Sequence, residues 1–344
     1  MADALPSFPM YAQPARMPAY RLTIDGQTIS PQFDARLQRL ALTEERAGTA
    51  DQLDLVLSDH DGALAFPRRG VILTLAMGWD GEPLQGKGTF VVDEAEHGGP
   101  PDLLTIRARS ADVQTMKQRR SQAWHATTLG QIIETLAGRN NLAPRIAAVL
   151  ASRAVAHLDQ AEESDLAFLT RLGKLHDAVA TVKHGRLLLL PVTSGQNSQG
   201  QQLEGVTIAR SDGSTHRYQV ADRETWRGVR AYWQDSRAAR RKSELAGSDP
   251  PENNGQNVKR LLPTYANQAE AQAAANAEWE RLQRGKATLS LNLAEGQPLL
   301  TPQAPVTVRG FKAEIDAHAW RAARVTHELA ASAGWTTQVE LETD

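Results

Sequence analysis

Hydrophobic residues in the first third of the chain alternate with polar residues in several short runs. The runs are Leu53–Leu57, Val71–Leu75, Phe90–Val92 and Leu104–Ala108. A period of two places successive side chains on opposite faces, which is typical of strands with one buried face. Turn-forming residues separate the runs at Asp61–Gly62, Asp80–Gly81 and Gly98–Pro101. Short strands with closely spaced turns predict an antiparallel sheet or barrel.

The hydrophobic period changes near residue 113. A helical pattern is formed by Leu129, Ile132, Ile133, Leu136 and Ala137, with Thr127 or Thr128 as its N-cap and Gly138 near its end. A second helix is predicted from Ser164, with inward positions at Leu166, Leu169, Leu172 and Leu175. Ala178–Lys183 and Arg186–Val192 then resemble two strands joined at His184–Gly185. These elements predict a small α+β unit.

Strand patterns resume after a polar linker at 194–202. They occur at Val206–Ile208, Tyr218–Val220, Trp226–Trp233, Ala287–Leu293, Val306–Val308, Trp320–Leu329 and Trp335–Leu341. The polar stretch Asp235–Asn257 is interpreted as a loop. One helix is predicted over 267–284, with Asn267 and Glu270 as a capping box and a stripe formed by Ala271, Ala275, Trp279 and Leu282. The fold class is therefore mainly β with an α+β insert.

Composition narrows the possible chemistry. The 344 residues include no cysteine, which excludes disulfides, thiolate metal sites and cysteine nucleophiles. The net charge of −2 indicates no general attraction to nucleic acid or to a membrane. The longest apolar run, Gly70–Trp79, is too short to span a bilayer, and prolines interrupt the N-terminus where a signal peptide would lie. Residues 1–18 are interpreted as an arm, either disordered or strapped onto a neighbour.

Few residues have the pattern of a catalytic or binding site. Asp93, Glu94, Glu96 and His97 are the best metal candidates, but they also fit a solvated strand end. Glu162, Glu163 and Asp165 lie at a predicted helix start, where acids are favoured by the helix dipole. The basic runs Lys117–Arg120 and Arg237–Lys242 fit solvated loops or a contact with a protein partner. Gly86–Gly88 lacks the pattern of a phosphate-binding loop. We therefore predict no catalytic, cofactor-binding or metal-binding residues.

Many segments resemble, in order, the late-control protein D family of contractile-tailed phages. The resembling segments are LDLVLSDHDGALAF (53–66), GKGTFVVDEAEHGGPPDLLTIRARSAD (86–112), TLGQIIETLAGRNNL (128–142), DQAEESDLAFLTRLGKLHDA (159–178), YQVADRETWRGVRAYWQD (218–235), LNLAEGQPLLTP (291–302) and GFKAEID (310–316). The resemblance extends over about residues 20–342. The family is similar to the hub portion of the VgrG spike proteins of type VI secretion.

The resemblance implies a structural baseplate hub of a phage tail or tail-like particle. It implies two tube-type, β-barrel-like modules, formed by 19–112 with 203–221 and by 222–344, and an α+β insertion domain with its linker at 113–202. Three chains would form a homotrimer that joins the sixfold tail tube to a threefold spike. The implied partners are the trimeric tail spike protein, the tail tube or tube-initiator protein and the tape-measure protein. The implied location is the virion, with assembly in the host cytoplasm.

Physical considerations agree with this interpretation without requiring it. Tryptophans such as Trp226, Trp233, Trp279, Trp320 and Trp335 suit core or interface positions.

Two other functions remain open. The first is a cell-wall hydrolase that uses carboxylates such as Glu94 or Glu96, and the second is a monomeric module that binds a ligand through the insert. We expect no cofactor, no membrane contact and no specific nucleic-acid binding.

Overall fold

A sheet of thirteen strands forms most of the computed structural model, which describes residues 16–29, 33–47, 50–110, 115–197, 199–220, 226–235, 238–248, 257–284 and 286–343. Its first seven strands are β1 (Pro18–Ile24), β2 (Gln27–Thr28), β3 (Leu37–Glu45), β4 (Gln52–Ser58), β5 (Ile72–Trp79), β6 (Gln85–Gly98) and β7 (Leu103–Ser110). The other six are β13 (Val206–Ala209), β14 (Gly213–Val220), β18 (Ala287–Leu293), β19 (Pro305–Arg309), β20 (Trp320–Ala330) and β21 (Gly334–Thr343). Most of the predicted arm lies outside the described residues.

The strands of this sheet pair in the order β14-β18-β21-β20-β3-β4-β7-β6-β5-β1-β2, and all of these pairs are antiparallel. β13 and β19 pair in parallel and join the sheet through β19 and β20. The junction between β3 and β20 divides the sheet into a first half, β1–β7, and a second half that contains the six later strands. One continuous sheet therefore joins the beginning of the chain to its end.

Each half of the sheet buries one face in its own apolar cluster. Leu53, Leu55 and Leu57 of β4 are almost completely buried in the first cluster, which also receives Trp335 from β21. The second cluster includes Leu289 and Leu291 of β18. The predicted alternation in these strands is confirmed, because every second side chain is buried.

The insert has its own core, built by helices that pack on a three-stranded sheet. Its elements are β8 (Arg119–Thr128), α1 (Leu129–Arg139), β9 (Ala143–Ile146), α2 (Ala148–Ala151), β10 (Ala154–Ser164), α3 (Asp165–His176), β11 (Ala178–Lys183) and β12 (Arg186–Pro191). Thr128 forms a capping box with Gln131, and the Ser164 hydroxyl accepts a hydrogen bond from the Ala167 amide. Both predicted helix starts are confirmed. β8 and β10 form a separate two-stranded antiparallel sheet, which we call the β8–β10 ribbon.

A separate three-stranded sheet and one helix follow β14 in the chain. They are β15 (Gly228–Asp235), β16 (Arg240–Gly247), β17 (Val258–Tyr265) and helix α4 (Gln268–Gln283). The short helix α5 (Ala313–Asp316) instead packs on the main sheet, because its Ile315 is buried in the second cluster. The predicted helix over 267–284 is confirmed, with Asn267 as its N-cap. Ala271 and Ala275 of α4 pack against Val229 and Ala231 of β15. Small side chains allow this close approach of a helix to a sheet.

Two expectations are corrected by strand pairing. Residues 203–221 were expected to belong with 19–112, but β13 pairs with β19, β14 pairs with β18, and Val206 and Ile208 lie in the second cluster. The stretch 235–257, expected to be a loop, contains β16, which forms an antiparallel pair with β15. Most side chains of β16 are not buried, so this strand can carry many charged residues, and its hydrophobic alternation is weak. The Pro250–Gly255 part of that stretch lies outside the described residues.

Candidate functional face of the sheet

The face of the sheet opposite the two apolar clusters is polar across the junction of the halves. We call this surface the polar face. It is formed near the junction by Arg39, Thr43 and Glu45 of β3, Arg324, Thr326 and Glu328 of β20, Thr336, Gln338, Glu340 and Glu342 of β21, and Thr288, Ser290 and Asn292 of β18. These residues share a face because the strand period is two and they are cross-strand neighbours.

Charges on the polar face occur as cross-strand pairs. Arg39 donates to Glu328 at 2.8 Å, and Arg324 lies 3.1 Å from Glu45, so the β3–β20 junction carries two opposite-charge pairs. Such partly exposed pairs contribute little stability, about 0–1 kcal/mol each. They do cancel charge locally. Glu342 in addition pairs with Arg46 at 2.7 Å. The polar face therefore presents hydroxyls, amides and mostly paired charges, and Glu340 adds one further negative charge.

The opposite side of the same junction contains a buried charged cluster, which we call the junction triad. Its members are Lys87 of β6, Glu44 of β3 and His327 of β20. The Lys87 ammonium contacts Glu44 Oε2 at 3.2 Å, His327 Nε2 at 3.0 Å and the Leu300 carbonyl oxygen at 3.1 Å. All three protons of the ammonium group thus have acceptors, which is the condition for burying a charge at tolerable cost. The triad connects both halves of the sheet to the loop that contains Leu300.

The histidine of the junction triad is neutral. Complete burial, together with the adjacent Lys87 charge, lowers the pKa of His327 well below its usual value. Because Lys87 donates to Nε2, the ring proton lies on Nδ1, where it is donated to the Thr337 hydroxyl at 2.9 Å. No motif in the sequence predicts this triad. The available signal was the position of Glu44 in the buried phase after Leu40 and Leu42.

The acidic cluster at the end of β6 is held by neighbouring basic residues. Arg107 of β7 lies 2.6 Å from Glu94 and 3.4 Å from Glu96, and Arg109 lies 3.3 Å from Asp93. His97 instead faces Asp59 at 3.3 Å. Glu94 and Glu96 are exposed surface partners of one arginine, so the geometry does not resemble a pair of carboxylates in a catalytic cleft.

The second acidic cluster has a structural role at the start of α3. Asp165 is buried and accepts hydrogen bonds from Asn140 at 3.0 Å and from Gln160 at 2.8 Å. Arg120 lies 3.6 Å from the same carboxylate. Glu163 pairs with Arg171 at 2.7 Å, and Glu162 accepts from the Ser121 hydroxyl.

Most described basic residues of the two basic runs lie on strands. Arg119 and Arg120 lie on β8, and Arg240–Lys242 begin β16, whereas Arg237 is outside the described residues. Backbone pairing with β10 and β15 gives these residues a partner that composition alone does not reveal. The loop interpretation is therefore wrong for Arg119, Arg120 and Arg240–Lys242.

Three further findings concern the part of the chain that the structure describes. There, no group of three or more His, Asp or Glu side chains is placed to hold a metal ion. No helix in the same residues has the length and apolar character needed to cross a membrane. Trp320 and Trp335 are buried, while Trp226, Trp233 and Trp279 are partly buried.

Comparison with known proteins identifies the family. The model of the phage tail baseplate hub (GPD) family matches residues 52–333, which include strands of both halves of the sheet and the whole insert. The chain belongs to this baseplate hub family. It is a structural component of a phage tail, and the resemblance noted from the sequence is confirmed.

Curated relatives extend the match to nearly the whole chain. The probable baseplate hub protein of Escherichia phage 186 is 41% identical over 361 aligned positions, covering 94% of this chain and 92% of the relative. The corresponding protein of Escherichia phage P2 is 40% identical and covers 94% of this chain and 93% of the relative.

Solved structures share the fold at low sequence identity. A tail protein from Neisseria meningitidis MC58 superposes with a TM-score of 0.71 at 15% identity, covering 95% of this chain and 97% of that protein. An Escherichia coli protein described as a component of the type VI secretion system gives 0.56 at 16% identity, covering 93% of this chain and 76% of that protein. That protein is described as structurally similar to the phage T4 tail proteins gp27 and gp5. The mainly β architecture of baseplate hubs is thus the fold of this chain.

Proposed function

We propose that this baseplate hub acts as a homotrimeric ring that joins the sixfold tail tube to a threefold spike. In this proposal the ring also contacts the tape-measure protein, and assembly takes place in the host cytoplasm. The role is mechanical, and the chain performs no catalysis. Two sheet halves per chain would give six similar modules in a trimer, which matches a sixfold tube on one side and a threefold spike on the other.

The observation that carries the proposal is the open main sheet with a polar face. Among the described residues, β14 is the last strand at one end of the pairing order and β2 is the last at the other. An unpaired outer strand is an available site for pairing with another chain. Head-to-tail contact between these ends closes into a ring when the rotation between copies is a third of a turn.

The polar face supports its own part of the proposal. Since the two apolar clusters fill the opposite side, this face is the surface left to line a central channel. Most of its charges are paired across strands, as in Arg39–Glu328 and Arg324–Glu45. A channel wall of hydroxyls, amides and mostly paired charges would let a polypeptide or nucleic acid pass without binding tightly.

The test is the mass of the purified chain in solution, with and without a co-expressed spike protein. Light scattering after size-exclusion chromatography should give about three times the chain mass of 37.5 kDa for the chain alone, or a complex that contains three copies of the chain when the spike is present. A chain that stays monomeric with the spike at every concentration would contradict the proposal.

A matched pair of variants locates the interface. Val220 is 58% exposed at the end of β14, and Val149 is 62% exposed in the insert. Val220→Lys should weaken the trimer, because a charged edge strand opposes pairing with another strand. Val149→Lys adds the same charge away from the sheet and should leave the trimer intact. Equal behaviour of both variants would exclude the β14 edge as the contact.

A further inference from the structure

A cross-strand pair of histidines lies on the β8–β10 ribbon, far in sequence from the junction triad. His125 of β8 and His157 of β10 are directly opposite each other in the antiparallel register. Their Nδ1 atoms are 3.0 Å apart, and their rings are inclined by 25° with centroids 4.6 Å apart. The two Nδ1 atoms are therefore within hydrogen-bond distance of each other. Both residues are exposed to solvent.

A carboxylate holds the second ring nitrogen of one member of this pair. Asp159, two residues further along β10, places Oδ2 3.0 Å from His157 Nε2. A proton on Nε2 satisfies this contact, which leaves His157 Nδ1 unprotonated and directed toward His125. A histidine that ligates a metal through one nitrogen commonly donates its other N–H to a carboxylate in this way.

We propose that His125 and His157 bind a divalent transition-metal ion through their Nδ1 atoms, with Asp159 orienting His157. In the metal-free chain one proton lies between the two Nδ1 atoms. Binding transfers that proton to His125 Nε2 as the neutral tautomer changes, so that both Nδ1 lone pairs reach the ion. The torsion about the Cβ–Cγ bond of histidine is soft, and a small rotation of each ring aligns the lone pairs. Water completes the coordination.

The separation of the nitrogens favours particular ions. With metal–nitrogen distances of about 2.0–2.1 Å, nitrogens 3.0 Å apart subtend an angle of about 95° at the ion. Adjacent ligands near 90° suit tetragonal Cu²⁺ and Ni²⁺, whereas tetrahedral Zn²⁺ needs a wider angle. The site offers two protein ligands, whereas a structural zinc centre has four.

The experiment is titration of the purified full chain with Ni²⁺ by isothermal calorimetry. One ion per chain should bind to the wild type. His125→Asn and His157→Asn should each weaken this binding at least tenfold, and Asp159→Asn should weaken it by about tenfold or more, the usual effect of removing an orienting carboxylate. Circular dichroism should show that the three variants are folded, since all three side chains are exposed.

The matched control is His184→Asn. His184 is an exposed histidine of the same insert at a turn with φ +52°, a conformation that asparagine also adopts. This variant should bind Ni²⁺ like the wild type. Electron paramagnetic resonance of bound Cu²⁺ adds an independent readout, because hyperfine structure from two imidazole nitrogens should be lost in His157→Asn. Unchanged Ni²⁺ affinity in both His125→Asn and His157→Asn, or an equal loss in His184→Asn, would overturn the proposal.

Discussion

Removing one charge from the junction triad should greatly destabilise the sheet junction. Lys87 Nζ and Glu44 Oε2 are 3.2 Å apart, and both side chains are about 95% buried. Coulomb's law with an effective dielectric constant of about 20 gives an attraction of roughly 5 kcal/mol at this distance. Glu44→Gln removes the attraction and leaves the buried ammonium with neutral acceptors. We expect the free energy of unfolding to fall by about 3–5 kcal/mol.

The same junction offers a control on its other face. Arg39 and Glu328 form an ion pair between β3 and β20 at 2.8 Å, but their side chains are 44% and 40% exposed. Glu328→Gln should therefore lower the free energy of unfolding by less than about 1 kcal/mol. Both variants remove a carboxylate charge at the junction, so the comparison isolates burial as the cause of the difference.

The assay is urea unfolding at neutral pH, followed by tryptophan fluorescence. Trp335 is a local reporter, because its ring centroid lies 5.9 Å from that of His327. The double variant Glu44→Gln/Lys87→Met should lose less stability than the sum of the single variants, because no unpaired charge remains buried. If Glu44→Gln were no more destabilising than Glu328→Gln, or if the double variant equalled the sum, the account of the triad would be refuted.

Two further effects follow from buried groups elsewhere. Burial, together with the nearby Arg153 charge, lowers the pKa of His176 from 6.5 to about 4. Between these two pH values the unfolded chain binds a proton that the folded chain does not bind. The free energy of unfolding therefore falls as the pH drops from about 6.5 to 4, by up to about 1.4 kcal/mol per pH unit. His176→Gln should flatten that pH dependence in urea unfolding, whereas His184→Gln should not; identical slopes in wild type and His176→Gln would contradict this. A Cβ at Gly296 would collide with the Trp335 ring, while one at Gly98 would meet nothing. Gly296→Ala should therefore lower the unfolding free energy by about 1–3 kcal/mol and Gly98→Ala by less than about 0.5 kcal/mol. Equal unfolding free energies of the two variants would exclude the collision.

Local features of the fold could be predicted because each depends on neighbouring residues. The alternation of Leu53, Leu55 and Leu57 requires a strand with one buried face, and β4 has that face. Thr128 and Ser164 begin helices because their hydroxyls accept hydrogen bonds from backbone amides three residues later. The family could also be identified, since its motifs are spread in order along the chain.

Charged elements were interpreted less well. β16 is a strand whose side chains are mostly exposed or partly exposed, and hydrophobic alternation cannot indicate a strand that buries little. Its position is fixed by backbone hydrogen bonds to β15, which any residue other than proline can form. The candidate histidine pair was missed for a related reason. His125 and His157 are opposite each other only because β8 and β10 pair in one register.

The sequence by itself determined the period of the elements that bury one face, the caps of the main helices and the family. Only the tertiary structure decided which strands are neighbours. Thr43 and Thr326 face each other across the β3–β20 junction although 283 positions separate them in the chain. An alternating pattern states that one face of a strand is buried but not which strand lies beside it. The partners of Glu44, the pairing of β13 and β14 and the continuity of the polar face therefore emerge only when the whole chain is folded.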